Sequence, residues 1–165
     1  MVRTSRNFKR LLDSGYNPGG KAGEHGMTEE ALDLLVEAAR RAMANAYAPY
    51  SGFSVGAAVM ADSGAVYEGC NVENASYPVS MCAERGAIAA AVSAGERAFT
   101  AIAIVASGGA PCPPCGMCRQ ALYEFGPDLD VILDSPEGSR MVYRLADLLP
   151  HAFGPASLTS RNGAA

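Results

Sequence analysis

Residues Ala101 to Gln120 read AIAIVASGGAPCPPCGMCRQ, and this stretch decides the fold. Its first six residues are uninterrupted apolar, which suits a strand buried on both faces. Serine, glycine and proline then break the run, and a helix is predicted from Met117 to Phe125, ahead of a short apolar strand at Val131 to Leu133. A strand, a helix and a strand in that order form a crossover unit, so two parallel strands are expected at the later end of a sheet. Upstream, Cys82 to Ala94 is alanine-rich, carries Ile88 and Val92 on one face and meets Gly95 just past its end, all of which favours a helix. Further back, Phe53 to Met60 (FSVGAAVM) and Ala65 to Glu68 flank Asp62-Ser63-Gly64, the pattern of a hairpin. Thr28 is placed to cap a first helix, with Glu29 and Glu30 in its first turn and Arg40 and Arg41 later. Its apolar stripe runs through Leu32, Leu35, Val36, Ala39, Met43 and Tyr47. The order α-β-β-α-β-α-β is that of an α/β domain, a sheet covered by helices.

The chain has 165 residues, 49% of them hydrophobic and 18% charged. That length allows one domain burying roughly 70% of its unfolded surface, and the composition excludes a disordered or fibrous chain. No apolar run is long enough to suggest a membrane span. Residues 1–26 hold five basic and two acidic side chains with little apolar periodicity, and are expected to be a flexible N-terminal extension to a domain at 27–165. The overall net charge is −4, so the body is more acidic still and offers no basic field for nucleic acid. With no apolar export segment at the N-terminus and an odd count of five cysteines, reduced thiols and a cytoplasmic location are expected.

Four cysteines fall in two tight contexts, Cys82 in CAER and Cys112, Cys115 and Cys118 in PCPPCGMCRQ. Both contexts lie at predicted helix starts, where free N–H groups and the positive dipole end favour thiolates. Sulfur ligands at this spacing suit zinc. A closed structural zinc site and a redox pair are the plain readings of C-x-x-C. Against a closed site, neither His25 nor His151 has the spacing of a fourth ligand. Three sulfurs would leave an open position, and Glu84, two residues after Cys82, would border it as a general acid and base.

Together these motifs resemble a known family, the zinc-dependent cytidine deaminases of the small homotetrameric nucleoside type. The resemblance rests on CAE at Cys82 to Glu84, PCGMCRQ at Pro114 to Gln120, AYAPYSGFSVGAAV at Ala46 to Val59 and GCNVENASY at Gly69 to Tyr77. It covers nearly all of Met27 to Phe153. It implies an α/β/α sandwich of the cytidine-deaminase-like type, with a five-stranded mixed sheet covered by helices. One Zn²⁺ per subunit would sit on Cys82, Cys115 and Cys118, leaving Cys112 as a departure from the family pattern, and Glu84 would shuttle protons. An arginine at the Arg85 position would hydrogen-bond ligand sulfurs, offsetting the charge of three thiolates.

The same resemblance implies a free nucleoside as substrate. Asn71 and Glu73, on one face of an extended segment, would hold the ribose hydroxyls, with Phe53 beside the pyrimidine and Val72, Ala83 and Phe153 also at the substrate. Tyr50 and Phe153 would lie near neighbouring active sites of a homotetramer. The implied reaction is hydrolysis of cytidine and 2'-deoxycytidine to the uridines with release of ammonia, a step of pyrimidine salvage. A deaminase of blasticidin-type nucleosides shares the two metal motifs but matches the segment around Phe153 less well. Polynucleotide deaminases are disfavoured by the acidic body, and an inert zinc module by the intact Glu84. Cys70 is expected to be a small buried hydrophobe, and both histidines bystanders. Neither nucleic acid nor membrane is an expected partner.

Overall fold

A computed structural model describes residues 27–159; the extension expected at 1–26 lies outside the described residues. Helix α1 (Glu29–Met43) opens the domain, and the Thr28 hydroxyl accepts the N–H of Ala31 at 3.3 Å, as the capping pattern predicts. Strands β1 (Val55–Ala61) and β2 (Val66–Cys70) form the expected hairpin. Next come a single 3₁₀ turn (Tyr77–Val79), helix α2 (Ala83–Ser93), strand β3 (Phe99–Ala106), helix α3 (Gly116–Tyr123) and strand β4 (Asp130–Asp134). The domain ends with strand β5 (Arg140–Arg144) and two short helices, α4 (Leu145–Leu148) and α5 (Pro155–Thr159). The sheet order is β2-β1-β3-β4-β5, with β3 and β4 parallel and every other neighbouring pair antiparallel.

The two faces of the sheet carry two cores. Met60, Ala58, Ala103, Val105 and Ile132 point to α1, while Val59, Ile102, Ile104, Val131 and Leu133 point to α2 and α3. Strands β1, β3 and β4 are therefore apolar on both sides, which is why β3 reads as one continuous apolar run. The result is the five-stranded mixed sheet between helical layers that the resemblance implied.

Periodicity alone does not reveal β5. Its sequence, RMVYR, alternates too weakly to read as a strand, and it lies on the sheet edge with no residue fully buried. The apolar stripe also overreaches at Tyr47. The helix stops at Met43, and Tyr47 lies beyond it, pairing through its N–H with the carbonyl of Asn71 and remaining 57% exposed.

One glycine fixes where α2 lies. A β-carbon on Gly69 would fall 2.3 Å from the amide nitrogen of Ala87 and 2.5 Å from the carbonyl of Ala83, both rigid helix backbone. Only a residue without a side chain lets α2 lie this tightly on β2. That contact sets the first turn of α2, and with it the residues around Cys82.

Candidate metal centre and nucleoside cradle

Both helices bearing cysteines start the same way. Cys82 caps α2 and Cys115 caps α3, each in extended conformation. Cys118 follows in the first turn of α3 and is fully buried. The sulfurs of Cys82, Cys115 and Cys118 lie within 4.8 Å of one another. Cys112 stands outside this group, its thiol lying 3.8 Å from the carbonyl of Pro113.

The surroundings of the three thiols suit a cation. Burial pushes the Cys118 thiol far up, and the negative charges of Glu84, Cys82 and Cys115 push it further. Burial also raises Cys82, helped by Glu84 and Cys115. Burial acts upward on Cys115 too, but hydrogen bonds from the backbone of Cys118, from the Cys118 and Cys82 thiols and from the backbone of Met117 outweigh it and leave that thiol below its ordinary value. Three sulfurs that cannot all carry charge unaided are the donor set of a bound cation, whose binding displaces their protons. Sulfurs on one tetrahedral zinc stand about 3.8 Å apart at ordinary Zn–S lengths, within the observed separation.

Glu84 is buried in the first turn of α2, at 4% exposure. Arg85 donates from Nη2 to the carbonyl of Ser80 at 3.0 Å, while its Nε is buried with no hydrogen-bond partner. An unpartnered guanidinium N–H three residues from a ligand is a donor waiting for an acceptor such as a thiolate.

A second cluster borders the first through the backbone. Val72 and Met81 exchange both backbone hydrogen bonds at 2.9 Å, stitching the segment 71–73 alongside the residues that lead into Cys82. Tyr47 bonds the same segment from its other edge, at Asn71 and Glu73. Asn71 donates from Nδ2 to the carbonyl of Phe53 and accepts the N–H of Val55, both at 2.8 Å. Glu73 accepts the N–H groups of Tyr50 and Ser51 at 2.8 and 3.2 Å and the Ser51 hydroxyl on its other oxygen. Those bonds, the Ser51 hydroxyl first, hold the Glu73 carboxyl below its ordinary range. Each side chain keeps hydrogen-bonding capacity to spare, one N–H on Asn71 and lone pairs on both.

Phe53 is partly exposed, with its ring packed over Gly108; Val72 and Phe153 are exposed, and Ala83 is completely buried. Cys70 departs from its expected place: it is only partly buried, because β2 is an edge strand, and its thiol lies 3.4 Å from the carbonyl of Asn45. His151 is exposed and His25 lies outside the described residues. Sequence reasoning missed Ser51. A serine in a turn looks ordinary until its hydroxyl is found between Glu73, to which it donates, and the N–H of Phe53, which it accepts at 3.0 Å.

The model of the cytidine and deoxycytidylate deaminase zinc-binding region matches residues 29–133. The chain belongs to this family. Among relatives, it is 43% identical over 129 residues to a cytidine deaminase of Sporosarcina psychrophila, covering 78% of this chain and 95% of the relative. It is 47% identical over 128 residues to the cytidine deaminase of Mycobacterium tuberculosis, covering 78% and 93%. Its fold is similar to a crystal structure of cytidine deaminase from Burkholderia pseudomallei, with a TM-score of 0.71 and 50% identity, over 77% of this chain and all of the other. The region that defines the family spans both cysteine-capped helices and the cluster around Asn71 and Glu73 that precedes them.

Proposed function

We propose that this chain hydrolyses cytidine and 2'-deoxycytidine to uridine and 2'-deoxyuridine with release of ammonia, as a zinc-dependent enzyme of pyrimidine salvage. The observation that carries the reading is a buried glutamate, Glu84, on the same first helical turn as one of three converging sulfurs. Cys82, Cys115 and Cys118 would hold the zinc, which when bound supplies Lewis acidity and activates water at neutral pH. Glu84 is not among the converging ligands, so its carboxylate is free to move protons. It takes one from the attacking water and places it on N3 of cytosine as the new C4–O bond forms. It then carries the proton of the new C4 hydroxyl to the exocyclic nitrogen, and the C4–N4 bond breaks as the C4 carbonyl forms, giving ammonia and the uracil ring. Arg85 Nε would donate to a ligand sulfur and draw off part of the thiolate charge.

Asn71 and Glu73 would grip ribose hydroxyls with their remaining hydrogen-bonding capacity, Phe53 would flank the base, and Val72 and Ala83 would border it. This cradle favours a nucleoside over a free base. The chain is further proposed to work as a cytoplasmic homotetramer, with Tyr50 and Phe153 near neighbouring sites. In support, large apolar residues stand exposed here: Tyr47, Val72 and Met81, which backbone bridges join in a row, and Tyr50 and Tyr77, whose rings meet edge-on at 6.1 Å. Such a patch marks an interaction surface. No helix among the described residues is long and apolar enough to cross a membrane.

The test is to follow the ultraviolet absorbance of cytidine, 2'-deoxycytidine and blasticidin S in parallel with zinc-loaded protein, with and without chelator. Turnover of both nucleosides, lost on chelation and restored by zinc, is expected. Failure to turn over either would overturn the reading.

A further inference from the structure

The Arg-Gln pair that follows the second cysteine motif has no part in the chemistry above, yet both side chains reach the same distant segment. Arg119 donates from Nε to the carbonyl of Pro114 at 2.7 Å and from Nη1 to the carbonyl of Leu148 at 2.8 Å. Leu148 is the last residue of α4, where a helix leaves its carbonyls without internal partners. Gln120 donates from Nε2 to the carbonyl of Phe153 at 2.7 Å. One turn further along α3, Tyr123 closes the contact: a β-carbon on Gly154 would lie 2.9 Å from its ring. Residues 119, 120 and 123 share one face of the helix. Between the two anchored carbonyls the chain makes a left-handed turn at His151, with φ of 58°, a conformation that non-glycine residues rarely hold without support.

We infer that Arg119 and Gln120 are positioning residues that clamp the C-terminal segment to the metal-bearing helix and so present the Phe153 ring in a fixed place. The contrast within the segment supports this. The Phe153 carbonyl is bonded and Gly154 is buried, yet Phe153 as a residue is 59% exposed. A large apolar ring on an anchored backbone is pre-organised for a partner, since its ordering is complete before binding. The inference rests on the proposed role of Phe153 at a nucleoside site. It adds that the helix holding Cys115 and Cys118 also sets where that aromatic stands.

The experiment compares Gln120→Met, which keeps length but removes the donor, with Phe153→Ala and the double variant, each zinc-loaded and measured for KM, kcat and metal content. Gln120→Met is expected to raise KM for cytidine about fivefold, the scale of one lost hydrogen bond, with kcat changed less than about twofold and one zinc per chain. Phe153→Ala is expected to raise KM at least as much, and the double variant to match Phe153→Ala alone, because Gln120 acts through that residue. If Phe153→Ala raises KM while Gln120→Met does not, or if the two effects multiply, the clamp is wrong and the role of Phe153 stands. If Phe153→Ala leaves KM unchanged, the role of Phe153 and the clamp fall together. A Gln120→Met variant that loses zinc or kcat with KM unchanged would show a merely structural role and overturn the inference.

Discussion

The first turns of α2 and α3 are near copies in backbone and opposites in use. Each begins at a cysteine in extended conformation, and each supplies sulfur to the same converging group. In the proposed function, helix α2 then gives its next residues to chemistry, with the buried Glu84 and the unpartnered Arg85 Nε. Helix α3 spends its next residues on construction, with a second, fully buried sulfur at Cys118 and then the Arg119 and Gln120 anchors. A helix N-terminus is suited to stabilising thiolates in either case, so the difference lies in the residues that follow the cap. The division predicts that loss of a sulfur on the α3 side removes the metal, whereas loss of Glu84 from α2 removes the reaction and leaves the metal in place.

The largest expected effect follows from breaking the α3 side. Cys118→Ser removes a buried soft donor, so the zinc content of purified protein should fall from one per chain to near zero at micromolar zinc, with turnover lost. Glu84→Gln tests the other half of the division. It should bind a full equivalent of zinc and keep its affinity for nucleoside within a few-fold, while kcat falls about 10³-fold, the middle of the range for a general acid and base. Metal analysis beside steady-state kinetics separates the two outcomes. Zinc lost from Glu84→Gln, or kept by Cys118→Ser, would erase the distinction between the helices.

A pair of glycines sharpens the comparison at the level of packing. Gly69→Ala forces a β-carbon into the backbone of α2 and should cost about 1–3 kcal/mol, lowering the thermal midpoint by several degrees and kcat with it, because Glu84 moves. Gly116→Ala, in the first turn of α3, meets nothing within 4 Å and has no positive φ, so it should be neutral or stabilise by about 0.5 kcal/mol. Thermal melts of the two variants would distinguish a tightly seated α2 from a freely capped α3.

How much of this was legible in sequence follows the range of the interactions. Cysteine spacing, helix starts and the apolar run at 101–106 are local, and each led to the right element and to the three converging sulfurs. Strand β5 was not legible from periodicity, since an edge strand held by pairing to β4 need not alternate. The anchors of Arg119 and Gln120 were equally hidden. Their partners lie 29 and 33 residues away and are backbone carbonyls, which carry no sequence signature. The same holds for Asn71, whose amide spans 16 residues to Val55 and 18 to Phe53. Residue type gives the chemistry a site needs, whereas the second partner of each hydrogen bond belongs to the fold.

The smallest effect concerns Ser51, which joins the two parts of the cradle that neither helix supplies. Its hydroxyl donates to Glu73 and accepts from Phe53, so Ser51→Ala loosens both a proposed ribose contact and a proposed base contact. Because Glu73 has a lowered folded pKa, its grip is complete above the ordinary carboxylate value and is lost as pH falls through the folded value. Removing the leading cause of that depression moves the loss to higher pH. KM for cytidine in Ser51→Ala should therefore rise by less than about threefold at neutral pH, the scale of one exposed hydrogen bond, and by more on the acidic side, where the parent enzyme still holds its ionised Glu73. Zinc content and the effect of Glu84→Gln should be unchanged in this background, since the hydrogen bonds of the Ser51 hydroxyl run to Glu73 and Phe53 and to neither cysteine-capped helix. A KM for Ser51→Ala that ran parallel to the parent at every pH would show that Ser51 leaves Glu73 untouched and serves the Phe53 turn alone.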